Sequence, residues 1–226
     1  MFADLHNHTK ASDGEYTPTQ LVEAAKKSGI KRIGVTDHDT LAGIPEALSK
    51  SSSDIDVVAG VEVSLRFKRE FFVGTLHYLL YIPRSLVEDR QFIIDADSAL
   101  ANARGPALNR ARVSTINSCY GPHGSVRPVL ASPLTVEEIE KLSTNVTRRH
   151  FSIALKSRGL EESTVMELIG NSSPAYVPSG METTDLVPLI EKYPRLVKVL
   201  AHPAAGSFPG EGVYKEVLPP VDVVEK

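Results

Sequence analysis

Histidine and carboxylate residues recur in this sequence in patterns that can hold metal ions. His6 and His8 stand two apart in DLHNHTKASDGEYTP, and Asp13 follows in the same stretch. Residues two apart on an extended backbone point to the same side, so the pair can offer two imidazoles to one ion. Taken alone, the histidines are also compatible with a solvated loop, and Asp13 before Gly14 with an ordinary turn. Further along come His38 in VTDHDT, Glu62 in AGVEVS, His77 in GTLHYLLYI and His202 in VLAHPAA.

Imidazole combined with carboxylate suits first-row divalent ions such as manganese, iron and zinc. The single cysteine, Cys119, reads as a small packing residue, and the lack of cysteine ligands argues against a structural zinc finger. The candidate ligands exceed what one tetrahedral ion needs. Two or three ions bridged by a carboxylate is the economical arrangement, with Glu62 as the bridge. Ions clustered in this way clamp a phosphate, generate hydroxide near neutral pH and stabilise both the entering and the leaving oxygen.

Elements that could bring these residues together are readable. Phe2 to Leu5 reads as a short buried strand. Thr17-Pro18-Thr19-Gln20 starts a helix that Gly29 ends. Strands are expected over Ile30 to Thr36, Ile55 to Val58, Phe71 to Ile82 and Leu196 to Ala201, with a short helix over Ile44 to Ser51. Alternating strands and helices indicate an α/β protein with parallel strands, whose active site lies at the carboxyl ends of the strands. His6 and His8 follow the first strand, His38 the second, Glu62 the third and His202 the last, while His77 lies within the fourth. Locally, His77 in its apolar strand could equally be a satisfied core residue. Asp37 and Asp39 flank His38, where either could fix its tautomer or both could cap the next helix. From Arg84 to Cys119 the composition is helical, with a break at Gly105-Pro106. More helices are expected over Pro133 to Leu142, capped near Thr135, and over Arg148 to Ser157 and Ser163 to Ile169. This stretch reads as a helical insertion forming a lid or substrate wall. His123, in GPHGS, reads as a loop residue.

The bulk numbers narrow the class. The 226 residues are 42% hydrophobic and 23% charged, which suits a globular protein with a real core. A net charge of -3 argues against an extended nucleic-acid surface, though not against a phosphate pocket. No apolar run reaches membrane-spanning length and no secretory signal opens the chain. The cytoplasm is the default compartment.

DLHNHTKASDGEYTP, VTDHDT, GVEVS, LHYLLYI and LAHP, in this order, resemble the motifs of the polymerase and histidinol phosphatase (PHP) domain. The Ser12-Asp13-Gly14 triplet, Arg148-Arg149-His150-Phe151 and Pro174-Ala175-Tyr176-Val177-Pro178 are similar to the stand-alone phosphoesterases of that family. The resemblance implies a distorted (β/α)7 TIM-like barrel over residues 1–83 and 196–226, with residues 84–195 a mostly helical insertion. It implies two or three divalent ions, manganese first, with iron or zinc as alternatives. His6, His8, Asp13, His38, Glu62, His77 and His202 are the implied ligands. Arg148 and His150 are implied substrate-phosphate contacts, and His202 and His150 candidates for general acid. Tyr176 could line the pocket or merely pack. The implied activity is hydrolysis of phosphomonoesters, with nucleoside 3′,5′-bisphosphates or short RNA as substrates. The family's closing Asp-x-His motif has no counterpart. Residues 203–226 contain no histidine, and Asp222 has none two places on. A C-terminally incomplete barrel with impaired metal loading is therefore expected. This keeps open a degenerate module that binds nucleotide or partner without turnover. An amidohydrolase acting on C–N bonds fits less well, because Glu62 stands where those enzymes place a bridging lysine.

Overall fold

Helix starts in the computed structural model follow the capping chemistry of the sequence. Residues 2–69, 72–170 and 172–202 are described. The chain runs β1 (Ala3–Asp4), α1 (Pro18–Lys27), β2 (Arg32–Val35), α2 (Ile44–Leu48), β3 (Asp56–Arg69) and β4 (Phe72–Tyr81). It continues through α3 (Arg84–Val87), α4 (Arg90–Leu100), α5 (Pro106–Tyr120), α6 (Val136–Glu140), α7 (Arg148–Ser157) and α8 (Glu162–Ile169). It closes with β5 (Met181–Glu182), α9 (Thr183–Lys192) and β6 (Val197–Leu200). At α1, the Gln20 N–H donates to Thr17 Oγ1 and the Thr17 N–H to Gln20 Oε1, a reciprocal cap. Thr135 and Glu138 repeat it at α6, and Thr147 and His150 at α7.

The sheet order is β1-β2-β3-β4-β6, with β5 paired to β3. β1, β2 and β3 are parallel, and Arg32 to Val35 match Asp56 to Ala59. β6 runs antiparallel to β4, with Leu200 opposite Tyr78.

Two compact units can be described separately. One comprises residues 1–65, 76–103 and 180–201. Its core packs Val22, Ala25, Ile33, Val35 and Val57 under α1, and Val61, Val63, Leu80, Phe92, Leu186 and Leu189 under α4 and α9. The other comprises, among the described residues, those of 66–75 and 104–179 together with His202. Its described core joins α5 to α8 through Ile116, Tyr120, Phe151, Leu155 and Leu168.

The structure corrects several expectations. β1 is two residues long and exposed, and among the described residues it pairs with β2 alone. The third strand does not stop at Val58 but runs to Arg69, so Glu62 lies inside β3 rather than after it. The strands are not all parallel. β3 and β4 are neighbours separated by too few residues for the crossover that parallel partners need. α3, α4 and α9 pack with the sheet, whereas the expected insertion ran from 84 to 195. The expected barrel return over residues 203–226, Asp222 included, lies outside the described residues.

One close approach ties β2 to the loop that follows β1. A Cβ on Gly34 would sit 2.1 Å from the Leu5 carbonyl oxygen and 2.8 Å from Leu5 Cα, both backbone atoms that cannot swing aside. Gly34→Ala must therefore displace the start of the loop carrying His6 and His8. We expect it to destabilise the protein and weaken metal binding together. Gly29→Ala is the control: φ is +77° and a Cβ meets nothing within 4 Å. It should cost about 1 kcal/mol of backbone strain and leave metal binding unchanged. Denaturant unfolding and metal titration on both variants check this.

Candidate metal centre

Glu62 projects from β3 and is 1% exposed. A buried carboxylate needs compensating partners, and four imidazoles supply them. Oε2 lies 2.8 Å from His6 Nε2, 3.0 Å from His8 Nε2 and 3.6 Å from His38 Nδ1. Oε1 lies 3.1 Å from His77 Nδ1. Asp13 stands to one side, 3.8 Å from His8 Nδ1 and 3.9 Å from His38 Nε2. The His8 and His38 rings stack at 4.5 Å between centroids.

Three overlapping sets of metal-ligating atoms result: His6, His8 and Glu62; His8, Asp13 and His38; and His38, Glu62 and His77. Six of the seven expected ligands are thus brought together. His202 belongs to none of these sets among the described residues. It follows β6 directly, with a left-handed φ of 31°, and the preceding Ala201 N–H donates to the His77 carbonyl. The chemistry of the donor set suits cations. His6 Nε2 and His8 Nε2 are 3.3 Å apart and face the same carboxylate oxygen. Lone pairs this close repel unless a proton or a cation lies among them. His8 Nδ1 is buried without a hydrogen bond.

The two aspartates beside His38 fasten the loops that carry the ligands. Asp37, 1% exposed, accepts from the Thr9 N–H at 2.6 Å, Thr9 Oγ1 at 2.7 Å and Ser12 Oγ at 2.7 Å. It holds the loop of His6, His8 and Asp13 against the end of β2. Asp39, at φ 52°, accepts from the Ser64 N–H and Ser64 Oγ and holds its own loop against β3. Main-chain bonds continue the ladder, with the Asp39 N–H donating to the Glu62 carbonyl and the Glu62 N–H to that of Asp37. Neither aspartate caps α2, whose N-cap is Gly43. Thr9 and Ser64 went unflagged in the sequence, and Ser12 entered only as part of the Ser12-Asp13-Gly14 triplet. Small hydroxyl residues beside ligands are the signal that was available.

In the second unit, Arg148 and His150 open α7. His150 is buried, and its Nδ1 accepts the Thr147 N–H at 2.9 Å, which leaves Nε2 as the proton-bearing nitrogen. The Arg148 guanidinium lies 5.2 Å from the Tyr176 ring centre, and both line a cleft between α5 and α7.

Burial disfavours the His8 imidazolium, but Glu62, by hydrogen bond and charge, together with Asp13 and Asp37, raises its pKa above the usual 6.5. In metal-free protein this contributes stability below the unfolded pKa that is lost as pH rises through the folded one. Metal binding needs the neutral ring and has the opposite dependence. The thermal stabilisation given by manganese over EDTA should therefore widen from about pH 6 to about pH 8, measurable by melting curves. Asp37→Asn turns an amide toward three donors. We expect a loss of about 2–3 kcal/mol in EDTA, with weakened metal binding, by denaturant titration.

Comparison with known proteins agrees with this geometry. A PHP domain profile matches residues 4–172. A 5′-3′ exoribonuclease of Haemophilus influenzae is 42% identical over 66 residues, which are 29% of this chain and 24% of that protein. A 3′,5′-nucleoside bisphosphate phosphatase of Chromobacterium violaceum is 37% identical over 67 residues, again 29% and 24%. The chain thus spans about a quarter of the length of the curated relatives it matches. A solved structure from Bifidobacterium adolescentis, described as a metal-dependent phosphoesterase, superposes with a TM-score of 0.67. It is 23% identical and covers 92% of this chain and 70% of that one, a likeness of fold of the TIM-like kind. The profile spans most of the chain and takes in all six residues of the candidate metal cluster, and the chain belongs to the PHP domain family.

Proposed function

We propose that this protein is a metal-dependent phosphoesterase, on the strength of three overlapping ligand sets, two of which share Glu62. A neutral imidazole has one lone pair to give. His8 and His38 each belong to two sets, so the sets cannot all fill at once. Two ions satisfy every ring: one held by His6, His8 and Glu62, the other by His38, His77 and Glu62, with Asp13 within reach of His8 and His38. Manganese is the first choice, with iron or zinc as alternatives. Ions held there supply Lewis acidity for a phosphoryl group and make water nucleophilic near neutral pH.

The protein's own groups have complementary tasks. Glu62 fixes the spacing between the two sites. Asp37 and Asp39 hold the ligand loops still, so that binding does not have to order them. Arg148 offers a planar guanidinium suited to bidentate contact with a substrate phosphate. His150 keeps its Nε2 proton directed by the cap on Nδ1, and His202 is the proposed proton donor to the leaving oxygen. The proposed substrates are small phosphorylated nucleotides or short RNA, since similar proteins are named as a bisphosphate phosphatase and an exoribonuclease.

The test joins elemental analysis with phosphate release from a nucleoside 3′,5′-bisphosphate. We expect two ions per chain, manganese-stimulated release, and a loss of about a hundredfold or more in Glu62→Gln. Two bound ions without release, or release indifferent to metal, would overturn the proposal. The first outcome would instead describe a binding module.

A further inference from the structure

Tyr81 is the last residue of β4, and its hydroxyl reaches past β3 and β2 to donate to the Leu5 carbonyl at 3.1 Å. Even spacing along a strand places side chains on one face. Tyr81 therefore shares the face of His77 on β4, as Gly60 shares that of Glu62 on β3. A Cβ on Gly60 would lie 2.9 Å from Thr36 Cγ2 and 3.2 Å from Tyr81 Cδ1. The bare backbone at Gly60 is thus the gap over which the Tyr81 ring passes. Thr36, fully buried, fills the other side of that gap. Its Oγ1 accepts from the Asn7 N–H at 3.1 Å, and its N–H donates to the Asn7 carbonyl at 2.9 Å.

These bonds fall on the carbonyls that precede the two ligands. The Leu5 carbonyl and His6 Cα lie in one peptide plane, as do the Asn7 carbonyl and His8 Cα. Holding the oxygen places the Cα at the far corner of the plane. The β1–β2 pairing ends at Asp4, opposite Ile33, and Leu5 is the next residue. The phenol has one hydrogen to give, and it is committed to this carbonyl. Burial, then the charge of Asp4, raises the Tyr81 pKa, which keeps the phenol a donor.

We propose that Tyr81 is a positioning residue of the metal centre, which sets His6, through the Leu5 carbonyl, for the ion that His6, His8 and Glu62 would hold. The choice of that ion rests on the two-ion reading under the proposed function, whereas the anchor itself does not. His38 is fastened separately, by the bonds of Asp39 to Ser64, so the ion of His38, His77 and Glu62 is independent of the phenol.

Tyr81→Phe keeps the ring over Gly60 and removes only the hydroxyl. It is combined with His77→Ala, which leaves the ion of His6, His8 and Glu62, and with His6→Ala, which leaves the other. Manganese affinity of the full chain is measured by calorimetry. We expect Tyr81→Phe to weaken binding about tenfold in the first background and to leave it within about twofold in the second. A hydroxyl that merely stabilised the sheet would weaken both alike. Equal losses in the two backgrounds, or no loss in the first, would overturn the proposal. Tyr81→Phe and the unaltered protein are also compared in EDTA by amide hydrogen exchange. The Asn7 amide should exchange about tenfold faster in the variant, and the Thr9 amide, held by Asp37, at an unchanged rate. Unchanged exchange at Asn7 overturns the proposal even where a histidine variant fails to fold. Fewer than two ions in the unaltered protein would count against the two-ion reading alone, and the exchange rates then decide for Tyr81.

Discussion

A single buried carboxylate governs the arrangement of this protein's first unit. Glu62 sits within β3 and gathers four imidazoles from three other segments, two on one loop, one on the next and one on β4. Removing a carboxylate from water costs several kcal/mol, which close hydrogen-bond donors or positive partners must offset. Histidines can be those partners in two ways, as imidazolium ions or through shared metal ions. The same cluster can thus be held together by protons when metal is scarce and by ions when metal is present.

Asp37 and Asp39 show how a loop-borne site can be rigid. Loops seldom hold side chains to the tolerance that catalysis needs unless neighbours lock them. Each aspartate binds a backbone N–H together with a hydroxyl, which fixes the position of the partner loop as well as its orientation. The two reach in opposite directions from either side of His38, so the middle loop is the clasp between the first loop and β3. The left-handed backbone of Asp39 is what turns its side chain that way.

The ligand residues were legible because their chemistry is rare and their placement after apolar strands is regular. Caps at Thr17 and Thr135 were legible because both halves of each cap lie within three residues. Partnerships across the fold were not. Nothing in VTDHDT reveals that Asp37 will meet Thr9 and Ser12, or that Asp39 will meet Ser64. α9 escaped notice because Pro188 lies within it, and a proline reads as a helix boundary unless the missing bond is tolerated. The extent of β3 was missed because Gly60 interrupts its apolar run.

The first unit is assembled from three separated stretches of chain, and this sets a timetable. All six clustered ligands have left the ribosome once residue 77 is made. The strand that pairs with β4, and the helix that helps cover the core, arrive only with residues 180–201. Between those moments roughly a hundred residues must be synthesised and their ends brought together, a closure that delays the pairing of β6 with β4. A nascent chain therefore carries all six clustered candidate ligands on an unfinished scaffold. An ion captured early would act as a template for the folding of the sheet, long before it could act on a substrate.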